Sequence, residues 1–177
     1  VLPESDDFAP FVQAVNRGFL GEEATDEQLA SSATMMSERR IVGIYDPKSV
    51  EPASPVGTVD AWVVELTTEP GSTLPMWGIS GVTVAGTHRR RGIASAMLQG
   101  ELRAAADAGV PIAGLTVSEA TIYGRFGFGP AIYTTTLEID AARTRWTGPQ
   151  VEGRLDAVTR EQLEEDLAAI HDRVRLI

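Results

Sequence analysis

Apolar residues fall at helical spacing in the first third of the chain. Phe8, Phe11, Val12, Val15 and Phe19 mark one face, with Asp6 and Asp7 ahead of it as caps and Gly18 and Gly21 near its end. Thr25 opens a second helix, with Gln28 placed to complete a capping box and Leu29, Ala33 and Met36 on one face. From Arg39 the pattern changes to that of strands. Ile41, Val42, Ile44 and Tyr45 are stopped by Asp46-Pro47, and a loop over Ser49 to Pro55 leads into a long run from Val56 to Leu66. Pro70-Gly71 makes a turn, and Leu74 to Val84 reads as a third strand, antiparallel if the connection is a hairpin.

A long helix follows from about Arg91 to Ala108, with Ala94, Leu98, Leu102 and Ala105 as its buried stripe, Met97 at one edge and Glu101 as the misfit on that face. Gly109 stops it and Pro111 prevents continuation. Ile112 to Val117 is then a short strand, parallel to the one before the helix in a βαβ unit. A brief helix around Ala120 to Arg125 and a last strand from Ile132 to Ile139 complete the pattern. Val151 to Leu155 fits another strand, and Thr159 to Val174 a helix capped by Thr159 with Gln162 three residues on. The order implies an α/β (α+β) fold: a mixed, mostly antiparallel sheet with helices on both faces and a central βαβ crossover. The chain ends on Leu176-Ile177, an unusual finish for a complete domain, and begins without Met. Residues 1–145 are expected to form one domain, with 146–177 as a linker or the start of a second.

Composition narrows the function. The 177 residues are 43% hydrophobic and 23% charged, ordinary values for a soluble domain. A net charge of −10 argues against a nucleic-acid binder. There is no basic, apolar leader of the signal-peptide kind and no run long enough to span a bilayer, so the expectation is a cytoplasmic protein, with secretion left open. The absence of cysteine removes thiolate metal sites and thiol nucleophiles, and two distant histidines make a metal site improbable. Ser118 lies in no Gly-x-Ser-x-Gly elbow, which leaves a hydrolase triad little support.

The chemistry sits around Arg89, Arg90 and Arg91. Cations at a helix N-terminus oppose the macrodipole by about 0.3–1 kcal/mol each, so helix physics alone prefers Asp or Glu there. An anion bound to the free amides would reverse the balance, and Gly92 gives it close approach. On spacing alone, an anion site and a solvated basic turn explain the triplet equally. Neither standard phosphate loop is present. The strand Val82-Thr83-Val84, followed by Arg89-x-x-Gly92-x-Ala94, resembles the acetyl-CoA signature of the GCN5-related N-acetyltransferase superfamily. Tyr123-Gly124-Arg125-Phe126-Gly127-Phe128 resembles that superfamily's Tyr-x-x-x-Gly-Phe segment, in the same order along the chain. Over about Ser80 to Ala131 the sequence is similar to the N-terminal domain of the enhanced intracellular survival (Eis) family.

The resemblance implies a set of roles. Backbone groups of Val82, Thr83 and Val84 would pair with the pantetheine arm of acetyl-CoA. Arg89 or Arg90 would meet the ribose phosphate, and the amides of Arg90, Arg91, Gly92, Ile93, Ala94 and Ser95 would hold the pyrophosphate. Ser118 and Glu119 would line the far side of the cleft. Tyr123 would be the general acid, protonating the departing thiolate; the alternative, which the two motifs together disfavour, is a core tyrosine in an aromatic cluster with Phe126 and Phe128. The family's base is the C-terminal carboxylate of a chain about twice as long, a role not transferable to Ile177, and the family points to a homo-oligomer. The expected activity is acetyl transfer to a primary amine, of an aminoglycoside-like or polyamine-like cation or of lysine. The alternatives are a CoA-binding module without catalysis, an inactive fragment of a longer enzyme, and a nucleotide phosphate binder disfavoured by the charge.

Overall fold

The computed structural model describes residues 1–117, 120–133, 135–140, 142–145, 147–149, 152–154 and 156–175. Two helices come first, α1 (Phe8–Gly18) and α2 (Asp26–Met35). Asp7 takes the N-cap position of α1 without a side-chain cap, whereas Thr25 and Gln28 form both bonds of the capping box on α2. Three strands follow: β1 (Arg40–Ile44), β2 (Gly57–Glu69) and β3 (Ser72–Val84). The β2–β3 hairpin turns on Pro70-Gly71, where Gly71 has a φ of +74°, a conformation glycine adopts without a Cβ clash. Helix α3 (Ile93–Asp107) then crosses to β4 (Ile112–Leu115), which pairs with β3 in parallel. The sheet order is β1-β2-β3-β4, antiparallel except at that last pairing.

Helices cover both faces of the sheet. On one side Phe8, Phe11 and Val12 of α1 pack with Ala24, Met36 and Ile41. On the other, Met97, Leu98 and Ala105 of α3 pack with Val59, Ala61, Trp77 and Ile79. Burying a side chain such as Phe11 or Leu98, both almost wholly covered, stabilises the fold by about 1.5–3 kcal/mol. The misfit Glu101 is buried among them. Its carboxylate accepts bonds from Arg40 Nε at 3.1 and 3.3 Å and from Trp77 Nε1 at 3.3 Å, so the charge is compensated by residues of β1 and β3. Helix α3 ends in a Schellman motif: the Val110 amide bonds Ala105 O, the Gly109 amide bonds Ala106 O, and Gly109 has a φ of +70°.

Two expectations differ from the structure. The brief helix at Ala120 to Arg125 is instead a pair of single 3-10 turns, Ala120–Ile122 and Gly124–Phe126, with Gly124, a poor helix former, inside the run and left-handed Gly127 capping the second turn. No strand forms among the described residues of Ile132 to Ile139. Residue type there favours a pleat, but no ladder partner is in place among the described residues, and Ile132, Tyr133, Leu137 and Ile139 are exposed. The strand expected at Val151 to Leu155 begins and ends outside the described residues, and Glu152 to Arg154 form none. The final helix is present as α4 (Arg160–Arg175), with the Thr159 hydroxyl accepting the Gln162 amide at 3.3 Å. None of the helices among the described residues is long and apolar enough to cross a membrane.

Candidate active site

The parallel pairing of β3 with β4 runs only from Met76 to Ile79, so beyond Ile79 the β4-facing edge of β3 is open among the described residues. Val82, Thr83 and Val84 lie on that open stretch. It begins at a bulge: Thr58 pairs with Thr83 but Asp60 pairs with Ser80, so β3 carries one extra residue around Gly81 and Val82. Gly81 has a φ of +60°.

The strand leads through a 3-10 turn (Gly86–His88) into the start of α3. Gly92 is its N-cap, with φ +80° and no side-chain cap, and no acid lies in the first turn. The contrast is with α2, whose N-terminus has Asp26, Glu27 and the capping box. The first amides of α3 are therefore left to an external acceptor. Arg89, Arg90, Arg91 and Gly92 are exposed around them, while Ile93, Ala94 and Ser95 are half-buried. Arg90 is left-handed, with φ +65°, so left-handed residues at 90 and 92 flank Arg91. Successive amides in such a turn form a concave anion nest.

His88 is not free. Its Nε2 lies 3.0 Å from Asp46 Oδ2 and its Nδ1 lies 2.8 Å from the Thr87 hydroxyl, which ties the arginine turn to the end of β1. The Lys48 backbone amide, and then the His88 side chain, hold the Asp46 carboxyl below its ordinary range. Beside this pair is a groove of about 570 Å³ whose charged lining is Arg17, Lys48 and Arg91 against Asp46 and Glu51, with His88 beside them. Lys48 and Arg91 have no ion-pair partner among the described residues. Arg17 and Lys48 give no local sequence signal, since each sits alone in a loop or helix end.

Tyr123 precedes the Gly124–Phe126 turn and packs, with Phe126 and Phe128, against the same buried cluster that carries Val82, Val84 and Ile93. Its ring meets Phe128 edge-on, centroids 6.0 Å apart. Burial pushes its hydroxyl pKa up, so the phenol stays protonated through neutral pH. Ser118 and Glu119 lie outside the described residues. His171 is exposed on α4, 3.8 Å from its neighbour Asp172.

The sequence matches the acetyltransferase (GNAT) domain family over residues 2–131. An uncharacterized N-acetyltransferase of Streptomyces avermitilis is 36% identical over 172 residues, covering 94% of this chain and 40% of that protein. The N-acetyltransferase Eis of Mycobacterium tuberculosis is 49% identical over 80 residues, 45% of this chain and 20% of that protein. The crystal structure of Eis1 from Mycobacterium abscessus superposes with a TM-score of 0.56 at 30% identity, covering 68% of this chain and 28% of that one. The chain thus spans less than half the length of these relatives. With a matching profile over most of its residues, the chain belongs to the GNAT acetyltransferase family.

Proposed function

We propose that this chain is the acetyl-CoA-binding part of an N-acetyltransferase that acts on a primary amine of a cationic acceptor, aminoglycoside-like or polyamine-like. One observation supports this reading above the others. The open edge of β3 runs directly into an uncapped, acid-free helix start ringed by three arginines, and Tyr123 stands on the same apolar cluster. An extended pantetheine arm fits a free strand edge, and a pyrophosphate fits the helix start. Val82, Thr83 and Val84 are assigned to the arm, Arg90 to Ser95 to the pyrophosphate, and Arg89 or Arg90 to the ribose phosphate. We also read 146–177 as a linker or the start of a second acetyltransferase-like domain: α4 leaves Leu163, Leu167, Ile170 and Val174 exposed and meets the sheet through Arg175, 3.6 Å from Glu65.

In the reaction, the acceptor amine loses a proton to a base and its lone pair attacks the thioester carbonyl carbon. The new C–N bond forms, the C–S bond breaks, the Tyr123 hydroxyl gives its proton to the departing thiolate, and the second proton lost by the nitrogen as the amide forms restores the phenol. A phenol held protonated by burial suits that role. Replacing Tyr123 by Phe keeps the ring and removes only the acid. Turnover is expected to fall by about 100-fold or more, with CoA affinity nearly unchanged by calorimetry. Equal turnover in the variant would remove Tyr123 from the chemistry. A wild-type protein that binds CoA but releases no thiol with any amine would favour a non-catalytic CoA-binding module.

A further inference from the structure

Four polar or charged side chains are buried among the described residues: Thr58, Asp60, Thr83 and Glu101. Glu101 is matched by Arg40 and Trp77, as described. The other three converge on the bulge in β3. Thr58 Oγ1 donates to the Gly81 carbonyl at 2.7 Å and lies 2.6 Å from Thr83 Oγ1. A hydroxyl has one proton, so with Thr58 donating to Gly81 the Thr83 hydroxyl donates to Thr58. On the other side, Asp60 Oδ1 accepts Arg39 at 2.7 Å, and Arg39 lies 3.9 Å over the Trp62 ring. Asp60 Oδ2 has no partner among the described residues and sits 2.5 Å from where a Cβ on residue 81 would stand. Glycine is thus favoured at 81 by its φ, and a Cβ there would also push the Asp60 carboxylate aside.

Burying hydroxyls and a carboxylate costs free energy that aliphatic side chains at the same positions would not. The bulge gives the expense a use. Side chains alternate along a strand, so one extra residue exchanges the two faces beyond it and shifts which amides and carbonyls point to each edge. Trp77 and Ile79 face α3; past the bulge, it is Val82 and Val84 that pack there, and Thr83 turns to Gly18 of α1. Without the bulge the open edge would present the opposite set of backbone groups.

We propose that Thr58 and Thr83 are positioning residues that hold the Gly81 bulge, with Asp60 packed against it, and so fix the backbone groups of Val82 to Val84 offered to the pantetheine arm. The proposal rests on the acetyl-CoA reading above. Its test, on the purified intact protein, compares two ligands: CoA, and adenosine 3′,5′-bisphosphate, which carries phosphates but no pantetheine. Thr58→Val is expected to weaken CoA about tenfold, the cost of one or two lost hydrogen bonds, and to leave the bisphosphate unchanged. Thr58→Ser, which keeps the hydroxyl, should bind CoA as the wild type does. A general loss of structure would weaken both ligands alike, and that result, an unchanged CoA affinity, or failure of the Ser variant to restore binding would overturn the proposal. If Thr58→Val does not fold, Thr83→Val is measured with the same two ligands: selective loss of CoA supports the proposal, and equal loss or no loss overturns it. Wild-type protein that binds the bisphosphate but not CoA would overturn it too, while wild-type protein that binds neither would defeat the acetyl-CoA reading itself.

Discussion

Arg90 holds a conformation that helix and turn physics disfavour. A non-glycine residue in the left-handed region costs about 1–2 kcal/mol, and the exposed Arg90 side chain makes no hydrogen bond or ion pair among the described residues to offset it. Strain of this kind persists where function uses it. Replacing Arg90 by Gly relieves it, while glycine's freedom in the unfolded chain takes back about 0.4–1 kcal/mol. The expected result is a small gain in stability by urea unfolding together with weaker CoA binding by calorimetry. A less stable variant with unaltered binding would deny that the turn stores strain for its ligand. Asp60 gives a second test at this scale. Burial raises its pKa against the opposing pull of Arg39, so the folded value lies above the unfolded one. Below the unfolded value both states are protonated and the group contributes no penalty. As pH rises toward the folded value the unfolded chain ionises first and stability falls. Asp60→Asn lacks this slope, so the stability of the wild type relative to the variant should decline as pH rises through that window, then level off. Paired urea titrations from acid to neutral pH measure it, and a gap independent of pH would count against a buried charge at Asp60.

At the scale of elements, what could be read from the sequence was whatever a short window encodes. The Thr25–Gln28 box, the stop of α3 at Gly109 and the Pro70-Gly71 turn are local signals, and each is where the pattern placed it; the α3 stripe is only partly so, since Leu98 and Ala105 are buried as expected but Met97, expected at the edge, is buried while Ala94 and Leu102 are half-buried. The arginine turn and Tyr123 were legible for the same reason, as compact motifs. The bulge was not, because Gly81 within a run of β-formers looks like any strand glycine, and the carboxylate a Cβ there would push aside belongs to Asp60 on the neighbouring strand. Glu101 stood out as a misfit, but its partners Arg40 and Trp77 lie far away in sequence. The same holds for His88 and Asp46, brought together only when β1 and the arginine turn meet at one end of the sheet. The described residues of Ile132 to Ile139 show the converse: strand-like residues with no ladder partner among the described residues form no strand, since pairing is a tertiary event.

At the scale of the whole molecule, the net charge and the site point in opposite directions. The chain carries −10, yet its only lysine, Lys48, shares a groove with Arg17 and Arg91 beside the arginine turn. If the overall charge governed binding, an anionic ligand would be repelled and added salt would tighten it by screening. If the local cations govern, salt weakens it, because they lie within a Debye length, about 8 Å at physiological ionic strength, of a ligand in the groove. The groove's cations favour the second sign: the Kd of CoA should rise as salt is raised, and Lys48→Glu should flatten that dependence. If the acceptor is the cationic amine proposed above, it meets a surface where acidic residues outnumber basic ones. Its kcat/KM should also fall with salt, more steeply for a polyamine than for a monoamine. Calorimetry and initial rates across a salt series supply both slopes. Tightening of CoA by salt would mean that the groove and the arginine turn do not hold the phosphates, whatever their geometry suggests.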